Sequence, residues 1–139
     1  MIAERWSDLV SEMYVLVHEQ AALYEVTHEV RDLGSETPDV VHGPWLASEC
    51  QAALIPWHEA GWLDLVADEN PPQMLAAAEW RHRATQEGAY MVLAAKDATK
   101  LLQDTSLWTI DSADGHVMLS LNDEGVRHDY PEWLALAQP

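Results

Sequence analysis

The chain has 139 residues, 48% hydrophobic and 22% charged, with 24 Asp and Glu against 7 Lys and Arg and a formal net charge of −17. This composition is globular rather than disordered, and a chain of this length buries roughly 65–70% of its unfolded surface in one core. The charge disfavours direct contact with phosphate backbones or anionic lipid, which needs Lys and Arg to release counterions, and no apolar run reaches membrane-spanning length.

The first seventy residues carry fourteen of the acids and only two bases, Arg5 and Arg31. The first element reads as a helix. Trp6, Leu9, Val10, Met13, Leu16 and Val17 recur at three and four residues, with Asp8, Glu12 and Glu19 off the stripe and Ser7 as a cap. Leu23, Val26, Val30 and Leu33 repeat at the same spacing up to Gly34, which predicts a second helix or a continuation of the first. Gly34, Ser35, Pro38, Gly43 and Pro44 punctuate a connection. A further helix is expected from Trp45 to Ala60, with Ser48 and Gln51 as a capping box, Gly61 as its stop and a break near Ala52–Ile55 imposed by Pro56.

Trp62 to Val66 reads as a strand ended by Asp68-Glu69-Asn70-Pro71-Pro72. A short helix is expected over Met74–Arg83, a strand over Ala89–Ala94 and a helix over Lys96–Asp104. Trp108, Ile110, Val117, Leu119 and Leu121 alternate around Asp114-Gly115, which predicts a β-hairpin. Pro131 opens a last helix through Ala137. The reading is one acidic α+β domain over 1–139: a helical N-terminal half, then a small, mostly antiparallel sheet with a C-terminal hairpin.

Two passages resemble the winged helix-turn-helix superfamily. Ala53–Leu65 looks like the helix, Gly, strand passage after the third helix of that fold, and the hairpin running into Leu119-Ser120-Leu121-Asn122-Asp123-Glu124-Gly125 resembles the end of a wing. The resemblance implies a winged-helix-like architecture and, in its usual use, a transcription regulator whose third helix enters the major groove. Trp45–Ala60 departs from that use, since it offers Glu49, Gln51, His58 and Glu59 and no Lys or Arg.

The histidines invite a metal reading. His18-Glu19, His28-Glu29 and His58-Glu59 are adjacent pairs, but positions 22, 32 and 62 are Ala, Asp and Trp, so none completes the two-histidine zinc pattern. On a continuous helix His18, Glu25 and Glu29 share a face, the one arrangement suited to a divalent cation, so a metal-binding protein or enzyme is a third reading. Cys50 is the only cysteine; it forms no internal disulfide and lies too far along a helix from His58 to be activated by it. No catalytic motif and no cofactor fingerprint is present. With no basic-then-apolar stretch at the N-terminus, a reducing, cytoplasmic setting is the expectation.

What remains is a small acidic protein-binding module, such as an inhibitor, an immunity-type protein or an adaptor, docking on a basic partner surface. Its carboxylates steer encounter, and half-exposed aromatics anchor it. The expected contact residues are Trp45, Glu49, Trp57, Glu59 and Trp62. The chain has seven Trp, four Tyr and no Phe, and an aromatic supply of that kind also suits a homo-oligomer.

Overall fold

The computed structural model describes residues 3–28, 30–31, 41–68, 71, 77–85 and 88–137. The first apolar stripe becomes α1 (Ala3–His18), whose Leu9, Val10, Met13 and Val17 are fully buried. Gln20, at φ 55, turns the chain out of the helix. The periodicity from Leu23 to Leu33 does not continue it: one 3-10 turn (Leu23–Glu25) is followed by β1 (Val30–Arg31), which pairs with β2 (Val41–His42). The reason is backbone pairing. Ala22 bridges Met118, the Leu23 N–H donates to the Val117 carbonyl, and Leu119 donates to Ala21, so these amides are committed to an extended partner.

α2 (Ala47–Glu59) is the helix expected from Trp45 to Ala60, and it runs through Pro56 without the expected break. The Ser48–Gln51 capping box does not form. Glu49 takes that role by accepting the Leu46 N–H at 3.0 Å, while the Gln51 amide donates to the carbonyls of Leu102 and Gln103 at the far end of α3. Gly61, at φ +81, ends α2 in a Schellman motif: its N–H reaches the His58 carbonyl, and the Trp62 N–H reaches that of Trp57.

β3 (Leu63–Ala67), β4 (Trp80–Thr85), β5 (Gly88–Leu93) and β6 (Met118–Leu121) form one antiparallel sheet in the order β4-β5-β3-β6. α3 (Ala95–Gln103) follows β5, and α4 (Tyr130–Leu136) closes the described chain. The fold is therefore α+β, with a helical N-terminal half and a small antiparallel sheet. Leu63 opposite Leu121 and Leu65 opposite Leu119 turn one sheet face to α1 and α2, and with Leu54, Trp57 and Trp133 they make the centre of the core.

The hairpin is not where the alternation around Asp114-Gly115 placed it. β6 pairs with β3, and the stretch before it folds into 3-10 turns at Thr105–Leu107 and Asp114–His116. Gly115 is not at positive φ; it is needed because a side chain there would collide with the Thr109 backbone. The adjacent antiparallel pair is β4–β5, registered from Trp80 opposite Leu93 to Thr85 opposite Gly88. That pairing also makes a strand of Trp80–Arg83, where a helix was expected; residues 74–76 of that expectation lie outside the described residues. Of the two passages that resemble a winged helix, the helix, Gly, strand passage stands and the wing-like hairpin does not. Among the described residues no helix is long and apolar enough to cross a membrane.

Candidate functional site

The site grows from the start of α4. Asp129 and Glu132 cap each other: the Glu132 N–H donates to Asp129 Oδ1 at 3.3 Å, and the Asp129 N–H donates to Glu132 Oε1 at 3.4 Å. This fixes the first turn and directs Trp133 inward, where it is fully buried. Its ring meets Trp57 at 5.0 Å, Trp62 at 5.4 Å and Tyr14 at 5.6 Å, all edge to face. Its indole N–H bridges the carbonyls of Gly125 and His128 at 3.2 Å each, and the Trp57 indole N–H donates to the Trp133 carbonyl at 2.7 Å.

Above this buried layer lies a half-buried one. The Trp62 ring stacks on the His128 imidazole at 3.8 Å between centroids and 11° between planes. Tyr130 packs edge-on against Tyr14 of α1 at 5.0 Å, next to Ser11 and Asp8. His128 is clasped by two carboxylates, Nδ1 to Glu132 Oε2 at 2.8 Å and Nε2 to Glu124 Oε1 at 3.2 Å. A carboxylate only accepts, so both ring nitrogens donate, which is the imidazolium state. The Glu132 contact, then that of Glu124, raises the His128 pKa above its ordinary value, and His128 in turn holds Glu132 below the usual carboxylate range.

The outer rim is acidic. Glu124, Asp129 and Glu132 are exposed around α4, and Asp8 is exposed on α1. Asp8, Ser11, Tyr14, Val15 and His18 fall on one stripe of α1, and Val15 and Val126 are among the exposed large apolar side chains. Trp62, Tyr14, Tyr130 and His128 thus form a half-buried aromatic strip ringed by carboxylates.

Of the residues expected to meet a partner, Trp62 lies on this strip and Glu59 is exposed at the end of α2. Trp45 and Trp57 are corrected: they are 5% and 0% exposed, so neither is a half-exposed anchor. Trp57 belongs to the layer under the strip. Trp45 lies under the Arg5 guanidinium, 4.9 Å from its ring centre. Glu49 is committed to Arg5, whose Nε and Nη2 donate to its two oxygens at 3.2 and 3.0 Å, and this holds its carboxyl below the usual range. Glu49 and Glu59 are ten residues apart on α2, about 15 Å along the axis at 1.5 Å per residue, so the five do not make one patch.

Tyr14, Glu124, His128, Tyr130 and Glu132 are the members that sequence reasoning missed. Their signal was the four-residue spacing of Glu124, His128 and Glu132, which adjacent His-Glu pairs do not reveal.

The metal reading loses its premise. α1 ends at His18, whose Nδ1–H donates to the Tyr14 carbonyl at 2.8 Å; Glu25 sits in a 3-10 turn, and Glu29 lies outside the described residues. Among the described residues no group of three His, Cys, Asp or Glu side chains is arranged to hold a metal ion. Burial pushes the Cys50 thiol up to about 12 and its Sγ donates to the Val26 carbonyl, so it is a core side chain and not a nucleophile.

A cavity lies beside α3 and a cleft lies over the segment that follows it. The cavity, of about 140 Å³, lies against Leu101 and Leu107, and the open cleft, of about 390 Å³, lies over Thr109, Asp111 and Ser112. Three of their carboxylates serve the fold: Asp97 accepts the Glu79 N–H, Asp104 accepts from Ser106, and the Ser112 hydroxyl donates to Asp114. On the sheet, Arg83 bonds Asp64 at 3.1 Å and Ser120 at 3.0 Å, a cross-strand tie. Comparison with protein-family models, with curated proteins and with solved structures finds no match.

Proposed function

We propose that this chain is a small acidic protein-binding module that docks on a basic surface of a partner protein, as an inhibitor, an immunity-type protein or an adaptor does. The observation that carries the reading is the strip between α1 and α4, where half-buried Trp62, Tyr14 and Tyr130 lie inside a ring formed by Asp8, Glu124, Asp129 and Glu132. Aromatics in that state give large contact area at little cost in side-chain order, and the carboxylates speed and orient encounter with a cationic surface. A net charge of −17 extends the steering field beyond the strip. The lone, buried Cys50 suits a reducing, cytoplasmic setting.

The test is affinity capture from the native host with three baits: the wild-type chain, Asp8→Lys/Glu124→Lys, and Asp111→Lys/Glu79→Lys at exposed acids away from the strip as a control of equal charge change. A partner held by the wild type and the control, lost by the strip variant and released as ionic strength rises past about 0.5 M supports the reading. A partner retained by all three baits at high salt contradicts it. The solution mass distinguishes a second copy of the chain from a different partner.

A further inference from the structure

We infer that Trp62, Glu124 and Glu132 form a slot that receives an arginine side chain of the basic partner, and that protonated His128 fills this slot as the chain's own competing cation. The inference rests on the docking role just proposed and adds to it the chemistry of the contact and its control by pH.

The slot is defined by what it holds. His128 presents a flat, delocalised cation, with one face on the Trp62 ring at 3.8 Å and 11° and its in-plane N–H groups directed to a carboxylate on either side at 2.8 and 3.2 Å. A guanidinium has the same description: planar, delocalised, able to stack on an indole face and to donate in its own plane to carboxylates. An ammonium can satisfy the carboxylates but has no plane to lay on Trp62. The slot is therefore selective for Arg over Lys. It is also reachable, since the side chains of His128, Glu124 and Glu132 are 23%, 48% and 51% exposed.

The competition is set by the proton. As imidazolium, His128 donates to both carboxylates and occupies the stacking face. As neutral imidazole it has one N–H left and no charge, so it yields to an arriving guanidinium. The charged and titratable groups around it on its own segment are Glu124, Arg127, Asp129 and Glu132, with Arg127 bonded to Glu124 at 3.1 Å. The end of α2, just before Gly61 and Trp62, adds His58, whose pKa burial lowers, and Glu59; α1 brings Asp8 and His18 to the neighbouring tyrosines. The glutamate contacts that raise the His128 pKa place its release above the ordinary histidine range. Occupancy by the internal cation lowers the apparent affinity by the fraction of molecules whose slot is free.

The experiment measures binding of end-capped oligo-arginine and oligo-lysine peptides of equal length, from pH 5.5 to 8.5 at low salt, to the wild type, to His128→Gln and to Glu124→Gln/Glu132→Gln. All other groups are common to both chains, so the difference between wild type and His128→Gln isolates His128. The expected result is that His128→Gln binds oligo-arginine about tenfold more tightly than the wild type at pH 5.5, with the gap closing towards pH 8.5. Preference for arginine over lysine should survive in His128→Gln, and the double glutamine variant, which keeps Trp62 but loses both carboxylates, should bind both peptides more weakly. Circular dichroism and melting of each variant establish that it is folded, and the Trp62 indole N–H resonance reports slot occupancy in the wild type without any substitution. Equal pH dependence in wild type and His128→Gln, or no arginine preference in either, overturns the slot and leaves the docking role standing. Failure of both peptides to bind any folded chain overturns both.

Discussion

Trp133→Phe is the sharpest single test of how the strip is supported. The substitution keeps an aromatic ring in the core but deletes the indole N–H that bridges Gly125 and His128. The Gly125 carbonyl keeps a second donor, the His128 backbone N–H at 3.2 Å, so only the partly buried His128 carbonyl is left without one. Losing that bond costs about 1 kcal/mol, at the low end because water can approach. Replacing the fully buried indole by the smaller phenyl removes apolar contacts and leaves a partial cavity, worth about 1–2 kcal/mol. The total of about 2–3 kcal/mol corresponds to a fall of roughly 7–10 °C in Tm for a domain of this size. Urea unfolding followed by circular dichroism measures the free energy, and the His128 side-chain resonances report whether the ring still stacks on Trp62. Stability within 0.5 kcal/mol of wild type would refute the claim that Trp133 holds the 125–128 turn and the strip above it.

Three further outcomes follow from the same geometry. The His128 pKa is raised above its ordinary 6.5, so its stabilising share is full below that value and fades as pH climbs through the higher folded value. The Glu132 pKa is lowered from 4.5, so its share is present above that value and is lost as pH falls through the depressed one. The clasp therefore contributes most between 4.5 and 6.5, and His128→Gln should flatten the loss of Tm between pH 6 and 8; parallel Tm curves for the two chains would rule the clasp out. Glu49→Ala strips Arg5 of its bidentate partner and Leu46 of its acceptor, for an expected loss of about 1–2 kcal/mol in denaturant unfolding, and an unchanged midpoint would show the pair to be idle. With a net charge of −17, Tm should rise on adding moderate NaCl, and a flat salt response would mean that the acids do not repel one another appreciably.

Much of the fold was legible because it is written in local periodicity. The stripes of α1, α2 and α3, the Gly61 stop and the Pro131 start all stand where their spacing placed them. The errors arise where a distant partner decides. Leu23–Leu33 has helical spacing, yet Ala21–Leu23 is claimed by the edge of β6. Trp80-Arg81-His82-Arg83 lacks a clean apolar alternation and becomes a strand only through its register with β5. The Asp114-Gly115 pair promised a hairpin turn, but Met118–Leu121 finds its partner in β3 instead.

The candidate site was less legible for the same reason. Trp57 falls on the buried stripe of α2 with Cys50, Ala53 and Leu54, but nothing local shows that Trp62, beyond the Gly61 stop, lies half-exposed against Trp133 and His128. Spacing alone also could not show that Glu124, His128 and Glu132 converge, because they straddle a 3-10 turn and a separate helix.

The central claim is that the acidic aromatic strip between α1 and α4 is where a basic partner docks. Titration of the isotope-labelled wild-type chain with the oligo-arginine peptide, followed by amide and indole resonances, tests it most directly. The claim predicts that the largest shifts fall on Trp62, Tyr14, Tyr130 and residues 124–132, and that they collapse on raising NaCl from 20 to 300 mM. Shifts spread evenly over all acidic surfaces, or centred on the cleft over Thr109 and Asp111, would contradict it.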